Sequence, residues 1–396
     1  MKIIFLIEDG MGDFPLPELN NKTPLEAANT SYLDSLAPHS LIGRCQTIPQ
    51  GFPPGSDVAN MALLGYDPVK YHTGRGPIEA AAQNIITQKN DLIWRCNLVE
   101  ITDFSSQGKM LDYSAGHIDT NTAKKLIGWL NSKLSSSEFK LIPGVQYRHL
   151  LIQPQGYQKI SNLSPRPPHD ILSQNISQDI KTYKQYPPLY NFLKDAFKLL
   201  NHNPIWPKAN SLWPWGQGKP LTLPDFTQKT GLKGAVISAV DLIKGLGQAA
   251  NLEVIEVKGA TGLVNTNYQG KLEAAINFLK TGDFLFLHLE GPDEAGHIGS
   301  IRDKIQAIEK FDKYILGPLL KNLNQSFTVV ILCDHFTPIT LRTHIADPVP
   351  FLIYNSQKKF KDKGQKTFSE KSAQQSPLFI RKGENFLNFV LEQANA

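Results

Sequence analysis

Asp9, Ser56, Asp293, His297, Asp334, His335 and His344 carry the side chains best suited to chemistry in this chain. They fall in four short blocks: Asp9-Gly10-Met11-Gly12, Pro54-Gly55-Ser56-Asp57, Asp293-Glu294-Ala295-Gly296-His297, and Asp334-His335 followed by His344. Read together they form one two-metal site with a serine between the cations, an arrangement that moves phosphoryl groups. Carboxylate oxygens combined with imidazole nitrogens suit Mn2+, Zn2+ or Co2+ better than Mg2+ alone. Ser56 precedes an apolar, helix-like run over 58–64 and so stands at a helix N-terminus. Backbone N–H groups and the helix dipole there favour a phosphate and a developing alkoxide. A serine becomes a nucleophile only when something lowers the pKa of its hydroxyl, and a metal ion does so.

Each block alone also has a plainer reading. Asp9 reads equally as a turn or capping aspartate, and Ser56 as an ordinary N-cap. Asp293 and His297 follow an apolar strand in a Gly-containing loop, which solvent alone explains. Asp334, His335 and His344 form the strongest block because they come directly after a buried strand. Candidates for binding an anionic substrate are Arg75 between two glycines, Arg95, Arg148, His149, His169 and Asp170. A guanidinium grips carboxylate or phosphate with two parallel hydrogen bonds. For all of these except Arg75, a surface ion pair or loop polar group is the competing explanation.

These side chains need a scaffold. Apolar runs at Lys2–Glu8, 235–239, 252–257, 283–289, 327–333 and 350–354 predict buried parallel strands. Helical patterns lie between them: Thr23-Pro24 opens one, and 271–279 and 302–323 are others. Strands alternating with helices imply an α/β fold, a central mostly parallel sheet flanked by helices. The middle reads differently, with strands over 91–102, 109–113 and 147–153 and a helix over 120–134. A Pro-, Asn- and Trp-rich passage over 161–224 predicts turns rather than long elements. We therefore expect a metal-binding phosphotransferase core from 1–87 and 236–396, with a smaller inserted α+β domain over 88–235 that closes over the substrate. The lysine-rich stretch 356–372 is expected to be a solvated loop or flap.

The bulk numbers set bounds. A chain of 396 residues with 41% hydrophobic content buries a sizeable core. The formal charge of +5 comes without long basic runs interleaved with aromatics, so nucleic-acid binding is not indicated. Three cysteines, Cys45, Cys96 and Cys333, have no metal or disulfide spacing and fit a reducing cytosol. The first apolar run is too short for a signal segment, and no stretch reaches the roughly 20 apolar residues of a membrane span. A soluble, cytoplasmic protein is expected.

The blocks Asp9-Gly10-Met11-Gly12-Asp13, Lys22-Thr23-Pro24-Leu25-Glu26-Ala27-Ala28, Pro54-Gly55-Ser56-Asp57-Val58-Ala59 and Leu64-Gly65-Tyr66-Asp67-Pro68 occur in order. Gly74-Arg75-Gly76-Pro77, Asp293-Glu294-Ala295-Gly296-His297, Asp334-His335-Phe336-Thr337-Pro338 and the stretch 344–350 complete the set. With these blocks, nearly the whole chain resembles the cofactor-independent phosphoglycerate mutases of the archaeal-type branch, within the alkaline phosphatase superfamily. The resemblance implies an alkaline-phosphatase-like core. It implies one cation on Asp293, His297 and His344 and another on Asp9, Ser56, Asp334 and His335. It implies Mn2+ as the usual ion, with Mg2+, Co2+ or Zn2+ as substitutes, and no 2,3-bisphosphoglycerate. Ser56 would take the phosphoryl group from 3-phosphoglycerate, a small phosphorylated metabolite, and the 2-hydroxyl would take it back. Two departures stand out: Glu8 occupies the position where such chains commonly carry glycine, and the stretch 200–210 is short and lacks an arginine. The run Asp112-Tyr113-Ser114-Ala115-Gly116-His117 resembles a sub-branch of homoserine kinases, which makes phosphorylation of another small alcohol the alternative. A non-catalytic metal-binding protein is the third reading, and the complete ligand set argues against it.

Overall fold

Every residue of Lys2–Glu8 is buried, and the segment is a strand with a neighbour on each side. An uninterrupted apolar run requires this, because a strand covered on both faces has no solvent side on which polar residues would alternate. The structure, a computed structural model, describes residues 1–134, 136, 138–358, 360 and 367–395. Its strands in chain order are β1 (Lys2–Glu8), β2 (Leu41–Cys45), β3 (Leu92–Ile101), β4 (Met110–Asp112), β5 (Lys140–Val145), β6 (Arg148–Gln153), β7 (Ser211–Gly218), β8 (Gly234–Ile237), β9 (Glu253–Val254), β10 (Phe284–Leu289), β11 (Phe327–Leu332), β12 (Val349–Asn355) and β13 (Phe379–Ile380). The chain divides into two units, Met1–His72 with Thr222–Ala396, and Thr73–Leu221.

The first unit holds an eight-stranded sheet in the order β13-β2-β12-β11-β1-β10-β8-β9. Its centre is parallel: β1 pairs with β10 and β11, and β10 with β8. β12 runs against both β11 and β2, so the run at 350–354 is a strand but not a parallel one. The helical pattern over 302–323 is interrupted. A helix spans Ile301–Phe311, a wider turn covers Asp312–Leu316, and a second helix runs Gly317–Asn322. Pro318 has no N–H to donate to the preceding turn, and the Asp312 carboxylate is occupied with the backbone N–H groups of Tyr32 and Leu33. Within the predicted lysine-rich stretch, Phe360 and Phe368 are buried, and Ser369 caps a helix over Glu370–Gln375. Residues 359 and 361–366 of that loop lie outside the described residues.

The second unit is α+β. β3 pairs with β6, β7 and β4, and β5 with β6, all antiparallel. Trp94, Trp213 and Tyr183 are fully buried there and share a core with Leu126, Leu130 and Leu193 of the helices Thr120–Lys133 and Pro187–Leu200. The passage 161–224 is more regular than its composition predicts. Pro187 and Pro188 begin a helix of 14 residues, where the missing N–H costs nothing. Pro214 sits in β7, which among the described residues pairs with β3 alone. The unit also starts and ends earlier than 88 and 235. Ala80, on the helix Arg75–Ala82, packs with Ile93, Leu150 and Ile152, whereas β8 belongs to the large sheet. Cys45, Cys96 and Cys333 are buried and unpaired. Among the described residues no helix is long and apolar enough to cross a membrane.

Candidate active site

Three neighbouring parallel strands, β10, β1 and β11, deliver acidic residues to the same edge of the large sheet, where ligands gather in such folds. Asp9 follows β1 directly, and Asp334 comes two residues after β11. β10 leads into a helix over Gly291–Ile298 that carries Asp293 and His297. This helix replaces the loop expected there. Pro292 fits a first turn, the acidic Asp293 and Glu294 suit its N-terminus, and Gly299 ends it with φ +79°. Asp293 and His297 thus stand one turn apart on one helix face. His344 returns through a loop in which Ile345 pairs with Phe336. Ser56 is the first residue of the helix Ser56–Leu63. One turn on, Asn60 Nδ2 donates to the Ser56 carbonyl (2.9 Å) and to Asp334 Oδ2 (2.8 Å).

The donor atoms converge in two groups that share His335. Ligand atoms of Asp9, Asp334 and His335 lie within 4.8 Å of one another, as do those of Asp293, His335 and His344. His335 Nε2 is 3.0 Å from Ser56 Oγ and 3.5 Å from both Asp9 Oδ1 and Asp334 Oδ2. Asp293 lies 3.3 Å from His297 Nε2 and 3.4 Å from His344 Nε2, and accepts a hydrogen bond from the Thr337 hydroxyl. His297 Nδ1 is 3.0 Å from the Arg342 carbonyl. A carbonyl only accepts, so Nδ1 carries hydrogen and Nε2 is the nitrogen turned to the cluster.

Three carboxylates in one buried space perturb one another. Burial, then Asp334 and Asp293, push Asp9 well above the usual carboxylate range. Burial also opposes ionisation of Asp293, but hydrogen bonds from His297 and His344 outweigh it and hold Asp293 well down. Asp334 is lowered likewise, with His335 and His288 outweighing burial. Burial brings His335 down to about 4, while Asp293 overcomes burial to raise His297 to about 9. Asp9 Oδ1 is buried with no hydrogen-bond donor among the described residues. A bare buried oxygen amid carboxylates and imidazoles is costly unless something satisfies it. Divalent cations fit this donor set.

Gly10 is required by its surroundings. Its φ is +62°, and a Cβ there would lie 2.6 Å from Asp293 Oδ1 and from Thr337 Oγ1. Gly10→Ala should cost about 1–3 kcal/mol from backbone strain alone, read as a lower denaturant midpoint, and should displace Asp293.

The second unit gathers some of the predicted anion-binding residues and not others. The Arg95 and Arg75 guanidinium groups lie 4.9 and 5.6 Å from the Trp215 ring, and His169 packs edge-on to it at 5.3 Å. Arg148 lies over Tyr147, which meets Tyr113 at 5.8 Å. Arg95 is buried, is held by Glu79 Oε1 at 2.7 Å, and is lowered to about 10 by burial. Asn97 Oδ1 accepts from both Arg95 Nε and Trp215 Nε1. Sequence reasoning missed Trp215 and Asn97. The period of two along β3 marks Asn97, since residues 95 and 97 face the same side. His149 is fully buried, its Nδ1 accepts from the Gly144 N–H at 3.0 Å, and burial lowers it to about 3. Its Nε2 has no hydrogen-bond partner among the described residues. Asp170 is exposed, with its carboxylate 3.6 Å from His169 Nε2. A histidine held neutral by the fold stabilises it above the ordinary histidine range and loses that contribution as pH falls from 6.5 towards 3. His149→Asn, which keeps an acceptor for Gly144, should therefore unfold at a lower pH in a circular-dichroism acid titration. The Asp112–His117 run is spent on a turn, with Asp112 accepting from Ser114 N (2.7 Å), Ser114 Oγ (2.6 Å) and Gly116 N (2.9 Å).

The family model for 2,3-bisphosphoglycerate-independent phosphoglycerate mutase matches residues 37–206. A Methanosarcina barkeri protein of that name is 43% identical, the match covering 99% of this chain and 100% of the relative. The solved structure of a Pyrococcus horikoshii protein superposes with a TM-score of 0.83 at 28% identity, covering 100% of this chain and 97% of that one. The cofactor-independent phosphoglycerate mutase from Thermoplasma acidophilum gives 0.64 at 27% identity, over 100% of both chains. On this similarity across its full length, the chain belongs to the family of 2,3-bisphosphoglycerate-independent phosphoglycerate mutases.

Proposed function

We propose that this chain interconverts 3-phosphoglycerate and 2-phosphoglycerate in the cytoplasm through a phosphoserine on Ser56, using two divalent cations, Mn2+ foremost, and no 2,3-bisphosphoglycerate. The observation that carries the reading is the 3.0 Å approach of Ser56 Oγ to His335 Nε2, the imidazole shared by both donor groups. Asp9, Ser56, Asp334 and His335 would hold one cation, and Asp293, His297 and His344 the other. The cations would neutralise phosphoryl charge and lower the pKa of the Ser56 hydroxyl. Ser56 Oγ, having lost its proton, bonds to phosphorus as the bond to the substrate's O3 breaks and O3 takes up a proton. Glycerate reorients, its O2 bonds to the same phosphorus, and Ser56 is released and reprotonated. The reaction is an isomerisation, so no atoms are gained or lost.

Asn60 keeps Ser56 and Asp334 in register through both transfers, since it bonds to each. Arg75, Arg95, Arg148 and His169 are the groups we assign to the substrate's anionic ends. Their clustering around Trp215 and Tyr147 supports this. The test is an enolase-coupled assay starting from 3-phosphoglycerate. Turnover is expected with Mn2+ and should vanish on chelation. No 2-phosphoglycerate with Mn2+, Co2+, Zn2+ or Mg2+ would overturn the reading.

A further inference from the structure

A second layer of buried charge lies behind Asp9, in the same unit as the cluster. His288, on β10, is completely buried. Its Nε2 has no hydrogen-bond partner among the described residues and lies 3.4 Å from Asp9 Oδ2. Its Nδ1 lies 3.2 Å from Glu290 Oε1. Glu290 is itself fixed from three directions: Oε1 accepts from Ser238 Oγ (2.8 Å) and Ala239 N (3.0 Å), and Oε2 faces Lys271 Nζ at 3.2 Å. Lys271 is fully buried and also donates to the His288 carbonyl at 2.8 Å. The segments involved are the end of β8, the helix Tyr268–Leu279 and β10.

This layer gives the two oxygens of Asp9 different surroundings. Oδ2 faces His288, whereas Oδ1 has no hydrogen bond and looks towards His335 Nε2 at 3.5 Å. A carboxylate free to rotate would present either oxygen to the cluster. We infer that His288, held by Glu290 and Lys271, is a positioning residue that fixes Asp9 so that Oδ1 faces the donor group that would hold a cation together with Asp334 and His335. The inference rests on the reading of Asp9 as a ligand in the proposed function. Residues behind the ligands commonly set metal affinity, and losing one costs about 10- to 100-fold.

Two substitutions separate positioning from simple packing. The amide nitrogen of asparagine sits near the place of Nδ1 and that of glutamine near Nε2. His288→Asn keeps the link to Glu290 but loses the approach to Asp9, and His288→Gln keeps a nitrogen near Asp9. Mn2+ is titrated into each full-length protein, with the free ion followed by its electron paramagnetic resonance signal. The unsubstituted chain is expected to bind two equivalents. His288→Asn should weaken one site by about 10- to 100-fold and leave the other unchanged, while His288→Gln stays much closer to the original affinity. Glu290→Gln, nearly isosteric, should weaken the same site and provides a second reading if His288→Asn does not fold. Circular dichroism in chelator identifies any unfolded variant. Folded variants that all keep both affinities, or His288 variants that lose affinity equally, would overturn the positioning role. An unsubstituted chain that binds no Mn2+ would overturn the ligand reading and this inference with it.

Discussion

Ser56→Ala is expected to lose phosphoglycerate isomerisation by at least about three orders of magnitude while its fold and its cation binding persist. The fold should persist because the hydroxyl caps nothing. The helix Ser56–Leu63 begins after Gly55 with no side-chain cap bond, and the Asn60 hydrogen bond goes to the Ser56 carbonyl, which alanine retains. Cation binding should persist because Asp9, Asp334 and His335 still converge. The enolase-coupled rate measures the loss, and thermal midpoints with and without Mn2+ measure the rest. Incubation with 3-phosphoglycerate followed by intact-mass analysis should find phosphate on the unsubstituted chain and none on the variant. A variant with near-normal turnover would remove Ser56 from the role of nucleophile.

Asp293→Asn should be almost as damaging, for a different reason. Asp293 bridges His297, His344 and Thr337, so replacing its charge removes the centre of one donor group. Mn2+ stoichiometry should fall from two to one, and the mutase rate by about three orders of magnitude, since the reaction depends on both cations. The variant should also change the pH dependence of the protein in chelator. His297 is raised to about 9 by Asp293, so its protonated form stabilises the metal-free fold. That contribution is complete below the ordinary histidine pKa of 6.5 and disappears as pH rises through about 9. The metal-free unsubstituted chain should therefore lose thermal stability across this window, and the variant should show a flatter profile. An identical slope in both would separate His297 from Asp293.

The ligand-bearing edge of the large sheet was legible because it obeys two simple regularities. Fully buried parallel strands read as unbroken apolar runs, and polar residues at their carboxyl ends stand out against them. Asp9 and Asp334 are marked in that way. The helix Gly291–Ile298 was hidden because Pro292 and Gly296 count as breakers in isolation. Pro292 is compatible with a first turn, and Gly296 answers a tertiary demand: a Cβ there would lie 2.4 Å from the Thr337 carbonyl oxygen. The strands β2 and β13 are short and lie at one side of the sheet, so little hydrophobic pattern announces them. The passage 161–224 looked like turn chemistry, yet within it Pro187-Pro188 opens a helix and Trp213-Pro214-Trp215 lies in an edge strand. His149 and His169 could not be ranked from their neighbours, because burial of one and an aromatic cluster around the other are long-range facts. His288 carried a fainter mark, as the one strongly polar side chain inside the otherwise apolar run Phe284–Leu289.

The placement of β1 bears on how the protein is made. Ile3 is partnered by Phe284 on one flank and Thr328 on the other, so the central strand leaves the ribosome long before either neighbour exists. At about 5–20 residues per second, that delay is roughly a quarter of a minute to a minute. For this interval the apolar run of residues 3–7 waits unpaired, a situation that favours slow maturation and recruitment of chaperones.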